Sequence, residues 1–444
     1  MHIRSLPDAA CAPLDVPSAL LDEAAMTLAD TVVCALNGRR RSPVPEGVLT
    51  HPNGASVWGT TQRVAGADAV FLNALGGHID DWDSVHYMTA GHPGVVLLPG
   101  LIAEFELGRI NAADVLRGYV AGLEAMAVLG YAYGEPLRLR GLHPTAILGG
   151  FGAVLALCQA RAEDTNVART ALSLVGTSVN GSAVAFGGSG KAFQVASAAR
   201  SAFEAVHTAT TTQYGPADRH WYTTLTERVE SAELTSPHDY AQPWALTELR
   251  TYFKDLPVCA YFAQTLQALS VIARRHAPGT MSGATVDVPE YVLSASKYAE
   301  PRTPDEVRFS LPHLAGVMLH TGEITLADLT VGRIASEAAK ARAKSIHLRL
   351  LPGHLERFGD ELHGEITVHT SAGTHPYPLV YGATSPQNSW SHMERKARLC
   401  MSGDTAGASR FVRSLKAFEG MDPRSWQRLL ENVAQVAHVP VGVR

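Results

Sequence analysis

At 444 residues, the chain is long enough for two or three domains of ordinary size. Only 18% of its residues are charged, against about 25% in typical soluble domains, while 46% are hydrophobic. This balance predicts closely packed helices and much buried surface. The net charge is −5, and no block of Lys or Arg is long enough to follow a phosphate backbone, which argues against nucleic acid as a partner.

The cysteines and the apolar segments indicate the compartment. The cysteines are scattered and never form a Cys-x-x-Cys pair, so neither a disulfide framework nor a zinc knuckle is expected. The first residues lack the basic and apolar run of a signal peptide. The longest apolar segment, 146–158, falls short of the roughly 18 residues that span a bilayer. We therefore expect a cytoplasmic protein without a membrane partner.

Apolar residues recur at helical spacing through the first half of the chain. Asn111 is a predicted N-cap, with Asp114 in the following turn. No convincing strand pattern occurs before residue 206. The predicted helices span 16–36, 65–75, 101–107, 111–129, 147–160, 167–175 and 192–205.

The pattern changes after residue 258, where alternating segments separated by Gly and Pro predict strands. We predict a mainly α protein with an α+β insertion: a large all-helical domain over 1–258, completed by 393–444, and a smaller α+β lid domain over 259–392. The predicted helices are 261–273, 304–319, 393–399 and 406–436, and the predicted strands are 284–288, 346–351, 364–370 and 377–381.

The stretch 77–94 carries three histidines and three aspartates between apolar segments. Isolated charges are costly to bury, so these groups must face water, pair with one another or line a site. Asp81 and His92 can act as base and acid, because burial and mutual interaction move a pKa toward neutrality. Asp80 and Asp83 are common helix-capping types, so we assign them, with His86, to supporting roles.

Adjacent aspartates in a helical protein also suggest a metal-dependent enzyme that uses Asp80, Asp81 and Asp83. The later helices contain no second set of carboxylates that would complete such a site. We therefore predict no metal, and the metal-dependent helical enzyme remains an alternative.

Two further residues stand at predicted helix starts. His143 precedes Pro144, a residue favoured at the first helical position, so it is predicted at a positive helix end that attracts carboxylates and disfavours a charged imidazole. Lys191 follows a Gly-Gly-Ser-Gly turn and suits a carboxylate clamp. The turn is not a phosphate loop, because Ala185 stands where the first Gly is required. A structural histidine and a solvated lysine are the competing interpretations.

Four separated segments carry a further signal, and they follow one another along the chain. They are the His-x-x-Asp-aromatic-Asp stretch that ends in His-Pro-Gly (78–94), Gly-Leu-His-Pro-Thr-Ala (141–146), Lys191 with its Ala-rich helix, and Lys254-x-x-Pro-x-Cys259. In this order they resemble the MmgE/PrpD superfamily, which includes 2-methylcitrate dehydratase, cis-aconitate decarboxylase and iminodisuccinate epimerase. The segments 309–315 and 382–396 are also similar to family landmarks, so the resemblance covers nearly the whole chain.

The resemblance implies a homodimer whose subunit has a large helical domain, a smaller α+β lid and a site between them. It also implies cofactor-free chemistry on small di- or tricarboxylates. Carried over by position, the retained site residues are Asp81, His92, His143 and Lys191. The lysine and the helix N-termini would hold carboxylates, and a histidine would move the proton.

The departures from the family pattern concern the substrate. Val85 stands where the family often has Thr, Gln194 where it often has His, and Ala263 where a His usually falls. His313 occupies the place of a common Tyr and could replace it as the acid. With Lys191 and Lys254, Val85 and Gln194 are the predicted substrate-binding residues. The changes suggest a different, larger or less polar substrate.

The sequence therefore predicts a lyase that dehydrates a 2-methylcitrate-like hydroxy acid, after proton abstraction α to a carboxylate by His143 or His92. Decarboxylation of a cis-aconitate-like acid and epimerisation of an imino- or aminosuccinate-like acid would use the same groups and stay open. A non-catalytic relative that kept the fold is the alternative from a different class.

Overall fold

The computed structural model describes residues 1–211, 221–229, 235–276, 280–353, 360–382, 389–401 and 405–437. The chain divides into two compact units. The first comprises Met1–Val184, Gly190–Phe253 and Ser385–Arg444, and the second comprises Ala185–Ser189 and Lys254–Thr384.

The N-terminal part of the first unit is a set of packed helices with one short antiparallel sheet. The helices are α1 (Leu6–Cys11), α2 (Ser18–Gly38), α3 (Gly66–His78), α4 (Pro93–Glu106), α5 (Ala112–Leu139), α6 (Pro144–Ala160), α7 (Thr165–Ser178), α8 (Gly190–Thr211), α9 (Thr223–Val229) and α10 (Ala245–Glu248). The sheet pairs β1 (Thr50–Ser56) with β2 (Arg63–Val64).

This sheet was not predicted, because the sequence up to residue 205 was expected to be all-helical. The first four residues of β1 are exposed and include Pro52, and the buried Gly54 follows them, so the segment lacks the alternation that identifies a half-buried strand. Pairing with β2 comes from the chain reversal between them. The fold class itself, mainly helical with an α+β part, is confirmed.

The capping residue predicts where α5 begins, but the apolar periodicity does not predict where it ends. Asn111 forms the predicted cap of α5, with a reciprocal bond from Asp114, but the helix continues to Leu139. The predicted start of α4 at residue 101 is wrong, because the helix begins at Pro93 and carries Pro99 inside it. Almost every residue of α4 is buried, and that burial outweighs the hydrogen bond lost at Pro99.

Helix α6 lies at the centre of the first unit, in contact with α4, α5, α7 and α8. As the sequence predicts, nearly all of its residues are buried. Small residues allow this packing: a Cβ at Gly152 would lie 2.4 Å from Cγ of Met126 on α5. Helix α6, which begins beside His143, is therefore packed closely on several sides.

The second unit is a four-stranded mixed sheet with helices. The strand order is β4-β3-β5-β6, with β3 and β4 parallel and the other pairs antiparallel. The strands are β3 (Met281–Val288), β4 (Ile346–Leu350), β5 (Leu362–Thr370) and β6 (Gly373–Tyr381), and the helices are α11 (Ala263–Ala273), α12 (Glu290–Ala295), α13 (Pro304–Val307), α14 (Leu311–Thr321), α15 (Val331–Ile334) and α16 (Glu337–Lys344).

All four strands predicted for this unit are present. The predicted helix 304–319 is instead divided into α13 and α14, because Ser310 caps a new helix start and its hydroxyl accepts the His313 backbone N–H. Val286, Ile366 and Val368 of the sheet join Leu314 of α14 in one apolar core.

The C-terminal helices belong to the first unit. Helices α17 (Trp390–Cys400) and α18 (Thr405–Lys416) pack against α2, and α19 (Pro423–Ala437) follows. Within the described part of the chain, no helix combines the length and the apolar character needed to cross a membrane.

The buried histidine His86 makes the first unit sensitive to acid. Burial lowers its pKa from the ordinary 6.5 to about 4, although its hydrogen bond to the Leu249 carbonyl (2.7 Å) acts in the opposite direction. The unfolded chain therefore takes up this proton first. The stabilisation is complete above pH 6.5 and is lost as the pH falls to about 4.

We expect His86→Gln, which keeps a donor for Leu249 and cannot titrate, to reduce the acid loss of the free energy of unfolding by about 3 kcal/mol, at about 1.4 kcal/mol per pKa unit. Urea denaturation at pH 7 and pH 4 measures this. The exposed His51→Gln is the control, and equal pH dependence of His86→Gln and wild type contradicts the prediction.

Candidate functional site

The centre of the site is His78, the last residue of α3. After it the chain turns back through Asp81, whose backbone is left-handed (φ 51°) and whose N–H donates to the His78 carbonyl at 3.0 Å. This turn returns Asp83 to the imidazole, so both carboxylate oxygens of Asp83 lie 2.9 Å from Nδ1 of His78. Both side chains are about 1% exposed.

Lys191, in the first turn of α8, supplies the cation. Its Nζ lies 2.8 Å from Nε2 of His78 and 2.9 Å from Oδ1 of Asp81. An ammonium only donates, so Nε2 of His78 must accept, and the ring proton sits on Nδ1 and is donated to Asp83. Burial, together with the charge of Lys191, lowers the pKa of His78 against the opposing effect of Asp83. His78 is thus neutral, in one tautomer.

His92 lies between the two carboxylates. Its Nδ1 is 3.0 Å from Oδ2 of Asp83, and its Nε2 is 3.7 Å from Oδ1 of Asp81. Burial alone would raise the pKa of Asp83, but attraction to His78 and His92 outweighs burial and holds it well below its usual range. Two neighbouring carboxylates favour a protonated imidazole at His92.

His143 has the opposite surroundings. It precedes Pro144 at the start of α6, as predicted, and its ring stacks on that of His78 at 6.2 Å between centroids. Burial, followed by the nearby charge of Lys191, holds the pKa of His143 well below its ordinary value. A neutral imidazole at this position is suited to accept a proton.

Gln194 determines which nitrogen of His143 is the acceptor. Its amide is oriented by the backbone of Ser182, because Nε2 donates to the Ser182 carbonyl at 3.3 Å and Oε1 accepts the Ser182 N–H at 3.2 Å. The same Oε1 lies 3.0 Å from Nδ1 of His143. Since that oxygen can only accept, the proton of neutral His143 is on Nδ1 and the lone pair is on Nε2.

His143 and Gln194 meet because the segment before α6 pairs with residues 181–183. The His143 N–H donates to the Gly181 carbonyl at 3.1 Å, and the Ala183 N–H donates to the Gly141 carbonyl at 2.8 Å. A Cβ at Gly181 would lie 2.8 Å from Cβ of His143, so this approach requires glycine. The loop is thereby fixed against the start of α6.

Three helix N-termini therefore meet around His78. His92 precedes α4, His143 precedes α6, and Lys191 lies in the first turn of α8. Helix N-termini carry partial positive charge and backbone N–H donors, so this arrangement favours an anionic ligand. Lys191 adds a full positive charge at the same place.

The structure brings together Asp81, His92, His143, Lys191 and Gln194, all in the first unit. Val85 is buried in that unit, where its backbone pairs with Tyr252.

Lys254 and His313 belong to the second unit. Lys254 donates to the Val258 carbonyl at 3.3 Å. His313 is buried in α14, and burial lowers its pKa, with Asp328 acting in the opposite direction.

The structure separates Asp80 from Asp81 and Asp83, the other two aspartates proposed as metal ligands. Asp80 accepts hydrogen bonds from Arg41 and Asn37, both at 2.7 Å. Among the described residues, the group of side chains arranged to hold a metal ion is instead His78, Asp81, Asp83 and His92, whose ligand atoms lie within 4.8 Å of one another. The ammonium of Lys191 contacts two of these four and would repel a dication.

The sequence pattern assigns no role to His78 and only a supporting one to Asp83, whereas both are central to the observed site. Both belong to the His-x-x-Asp-aromatic-Asp motif, which was the available signal. Their spacing of five residues is not a helical neighbour spacing, so the contact depends on the turn at Asp81. That turn was not predicted.

Residues 9–220 match the family model of the MmgE/PrpD N-terminal domain. No curated protein matches the chain. The matched segment contains His78, Asp81, Asp83, His92, His143 and Lys191. The match confirms the family resemblance and supports membership of the MmgE/PrpD superfamily, whose members are generally enzymes of the lyase type.

The tautomer of His143 can be tested at Gln194. In Gln194→Glu, a carboxylate would face Nδ1 and stabilise the imidazolium, so we expect the pKa of His143 to rise by about one unit or more. In Gln194→Met, the ring would lose its acceptor and populate both tautomers. Nitrogen-15 NMR of labelled histidines distinguishes these states without any substrate.

Gln62→Glu provides an exposed control for the added charge. It should leave the His143 signals unchanged. If Gln194→Met keeps the wild-type tautomer and Gln194→Glu keeps the wild-type pKa, Gln194 does not orient this histidine.

Proposed function

We propose that this MmgE/PrpD protein is a cofactor-free lyase that acts on a small polycarboxylate. The reaction that its site fits best is the dehydration of a 2-methylcitrate-like or alkylcitrate-like hydroxy acid. The observation that carries the proposal is the contrast between two histidines. His143 is neutral with its lone pair on Nε2, and His92 lies beside Asp81 and Asp83. Groups whose surroundings separate their protonation in this way suit base and acid roles.

The substrate class follows from the charges. Lys191 and the N-termini of α4, α6 and α8 favour the binding of carboxylates, and the histidines can move protons to and from such a ligand. A carbon next to a carboxylate loses a proton more readily when positive charge stabilises the resulting carbanion. Lys191, held by Asp81 and His78, is the group suited to this task.

The proposed reaction has one proton acceptor and one proton donor. Nε2 of His143 removes a proton from the carbon α to a carboxylate, and the C–H electron pair becomes the new C=C bond. The C–O bond to the hydroxyl breaks, and protonated His92 gives its proton to the departing hydroxide, which leaves as water. Both histidines thus exchange protonation states, and solvent restores them.

Decarboxylation and epimerisation remain alternatives within the same class. A cis-aconitate-like acid would lose carbon dioxide and take a proton at the resulting carbanion. An imino- or aminosuccinate-like acid would lose and regain a proton on opposite faces. Lys254 and His313 of the second unit stay candidates for substrate binding and for the acid, as do Val85 and Gln194 for substrate shape.

A metal-dependent reaction is a second candidate, because His78, Asp81, Asp83 and His92 are grouped closely enough to bind an ion. Metal analysis of purified protein, with activity before and after chelation, distinguishes the two. Full activity without bound metal would exclude the metal-dependent reaction. Activity that returns only when a divalent metal is added would favour that reaction over the cofactor-free one.

We further propose a homodimer, which the resemblance implies, and a cytoplasmic location, which the scattered cysteines indicate. Light scattering of purified protein measures the first point, and fractionation of the native cells measures the second. A monomer that remained fully active would contradict the homodimer.

A substrate screen in deuterated water, followed by NMR, tests the reaction class. Citrate, 2-alkylcitrates, aconitate and amino- or iminosuccinates are the compounds to use. We expect loss of water from an alkylcitrate. Loss of carbon dioxide would indicate a decarboxylase, deuterium exchange without net reaction would indicate an epimerase, and complete inactivity would favour a non-catalytic relative.

With a substrate in hand, we expect Lys191→Ala and His143→Ala each to lower kcat by about 100-fold or more, since one charge stabiliser or one general base typically contributes that much. Lys416→Ala and His51→Ala remove exposed residues of the same types and serve as controls. Activity within a factor of two of wild type in either site variant would contradict the assigned roles.

A further inference from the structure

A second buried ion pair lies next to the backbone of Asp83. Lys396 of α17 and Asp30 of α2 are 3% and 0% exposed, and Nζ of Lys396 is 2.5 Å from Oδ1 of Asp30. Burial alone would lower the pKa of Lys396, but Asp30 raises it above its usual value, so the pair stays charged. Neither residue belongs to the proposed proton-transfer steps.

The remaining hydrogen bonds of this pair go to the two peptide groups on either side of Asp83. Nζ of Lys396 donates to the Trp82 carbonyl at 2.6 Å, and Oδ2 of Asp30 accepts the Ser84 N–H at 2.8 Å. The ammonium also lies 5.5 Å from the centre of the Trp82 ring. The peptides before and after Asp83 are thus each held by one member of the pair.

We propose that Asp30 and Lys396 are positioning residues that hold the backbone of Asp83 so that its carboxylate reaches His78 and His92. Asp83 must contact two imidazoles at about 3 Å from one short side chain, which leaves little freedom for its backbone. A donor for one flanking peptide and an acceptor for the other restrict both dihedral angles of Asp83. Apolar side chains could fill the same space but could form neither bond.

Stability alone does not account for this pair. Two charges removed from water lose solvation that their attraction only partly restores, and well-packed apolar residues often serve stability equally well. The fixed backbone is what the charged groups add. The proposal rests on the proposed function only for its kinetic readout, because the protonation sites of His78 and His92 can be observed without substrate.

The test compares two double variants that leave no unpaired buried charge. Asp30→Asn with Lys396→Met keeps the acceptor for Ser84 and removes the donor to Trp82. Asp30→Asn with Lys396→Gln keeps a donor as well. We expect the Met variant to change the nitrogen-15 signals of His78 and His92 and to lower kcat about tenfold with little change in KM, while the Gln variant stays closer to wild type.

The control variant changes a buried carboxylate elsewhere in the first unit. Glu104 is fully buried and its carboxylate contacts Arg161 (2.9 Å), Arg109 (3.0 Å) and His207 (2.7 Å), so Glu104→Gln with Arg161→Met removes one buried acid and one of its three partners. It should reduce stability and leave the histidine signals and kcat unchanged. Wild-type histidine signals in a folded Met variant would overturn the proposal, as would equal changes in the control.

If the Met variant does not fold, hydrogen exchange in the wild-type protein decides. The Ser84 amide should exchange only on global unfolding, together with the core of α2. Exchange through local opening, while α2 remains protected, would mean that Asp30 does not hold this peptide, and the proposal would be abandoned. Loss of kcat without any change at His78 and His92 would likewise contradict it, whatever the substrate proves to be.

Discussion

The ammonium of Lys191, almost removed from water, is the constraint on which the site depends. A buried charge needs partners, and here they are Asp81 and the Nε2 lone pair of His78. Because His78 must accept from the lysine, it must donate from Nδ1, and Asp83 is the acceptor. Asp83 is then an anion beside His92. Lys191 thus determines the protonation of His78 and, through it, that of Asp83 and His92.

The two histidines that precede proline show how surroundings decide chemistry. His92 and His143 both stand before a helix that begins with proline, so their backbones are alike. His92 faces carboxylates, whereas His143 faces the amide of Gln194. An amide fixes a tautomer without adding charge or a second titrating group. Gln194 therefore holds His143 without itself being able to exchange a proton.

Features that depend on a few adjacent residues could be predicted from the sequence. His143 at a helix start follows from Pro144, and the cap at Asn111 follows from Asp114. The contact between His78 and Asp83 could not be predicted, because it depends on one left-handed residue, Asp81, for which the sequence offers no glycine.

Long-range contacts were still less accessible. Lys396 lies 314 residues from Trp82, whose carbonyl it holds, and only folding of the C-terminal helices against α2 brings them together. No local pattern encodes such a pair. Strand β1 was likewise not predicted, because its pairing with β2, more than its own composition, makes it a strand.

The charge balance of the site links substrate binding to protonation. With His78 and His143 neutral, the two carboxylates of Asp81 and Asp83 and the one ammonium of Lys191 leave one net negative charge. A polycarboxylate would be repelled unless that charge were offset. Proton uptake by His92 offsets it and also prepares the acid that the proposed dehydration requires. In the proposed dehydration His143 gains a proton from the substrate while His92 gives one to the departing hydroxide, so the net charge of the site stays the same throughout the reaction and solvent has only to return the two histidines to their starting protonation states.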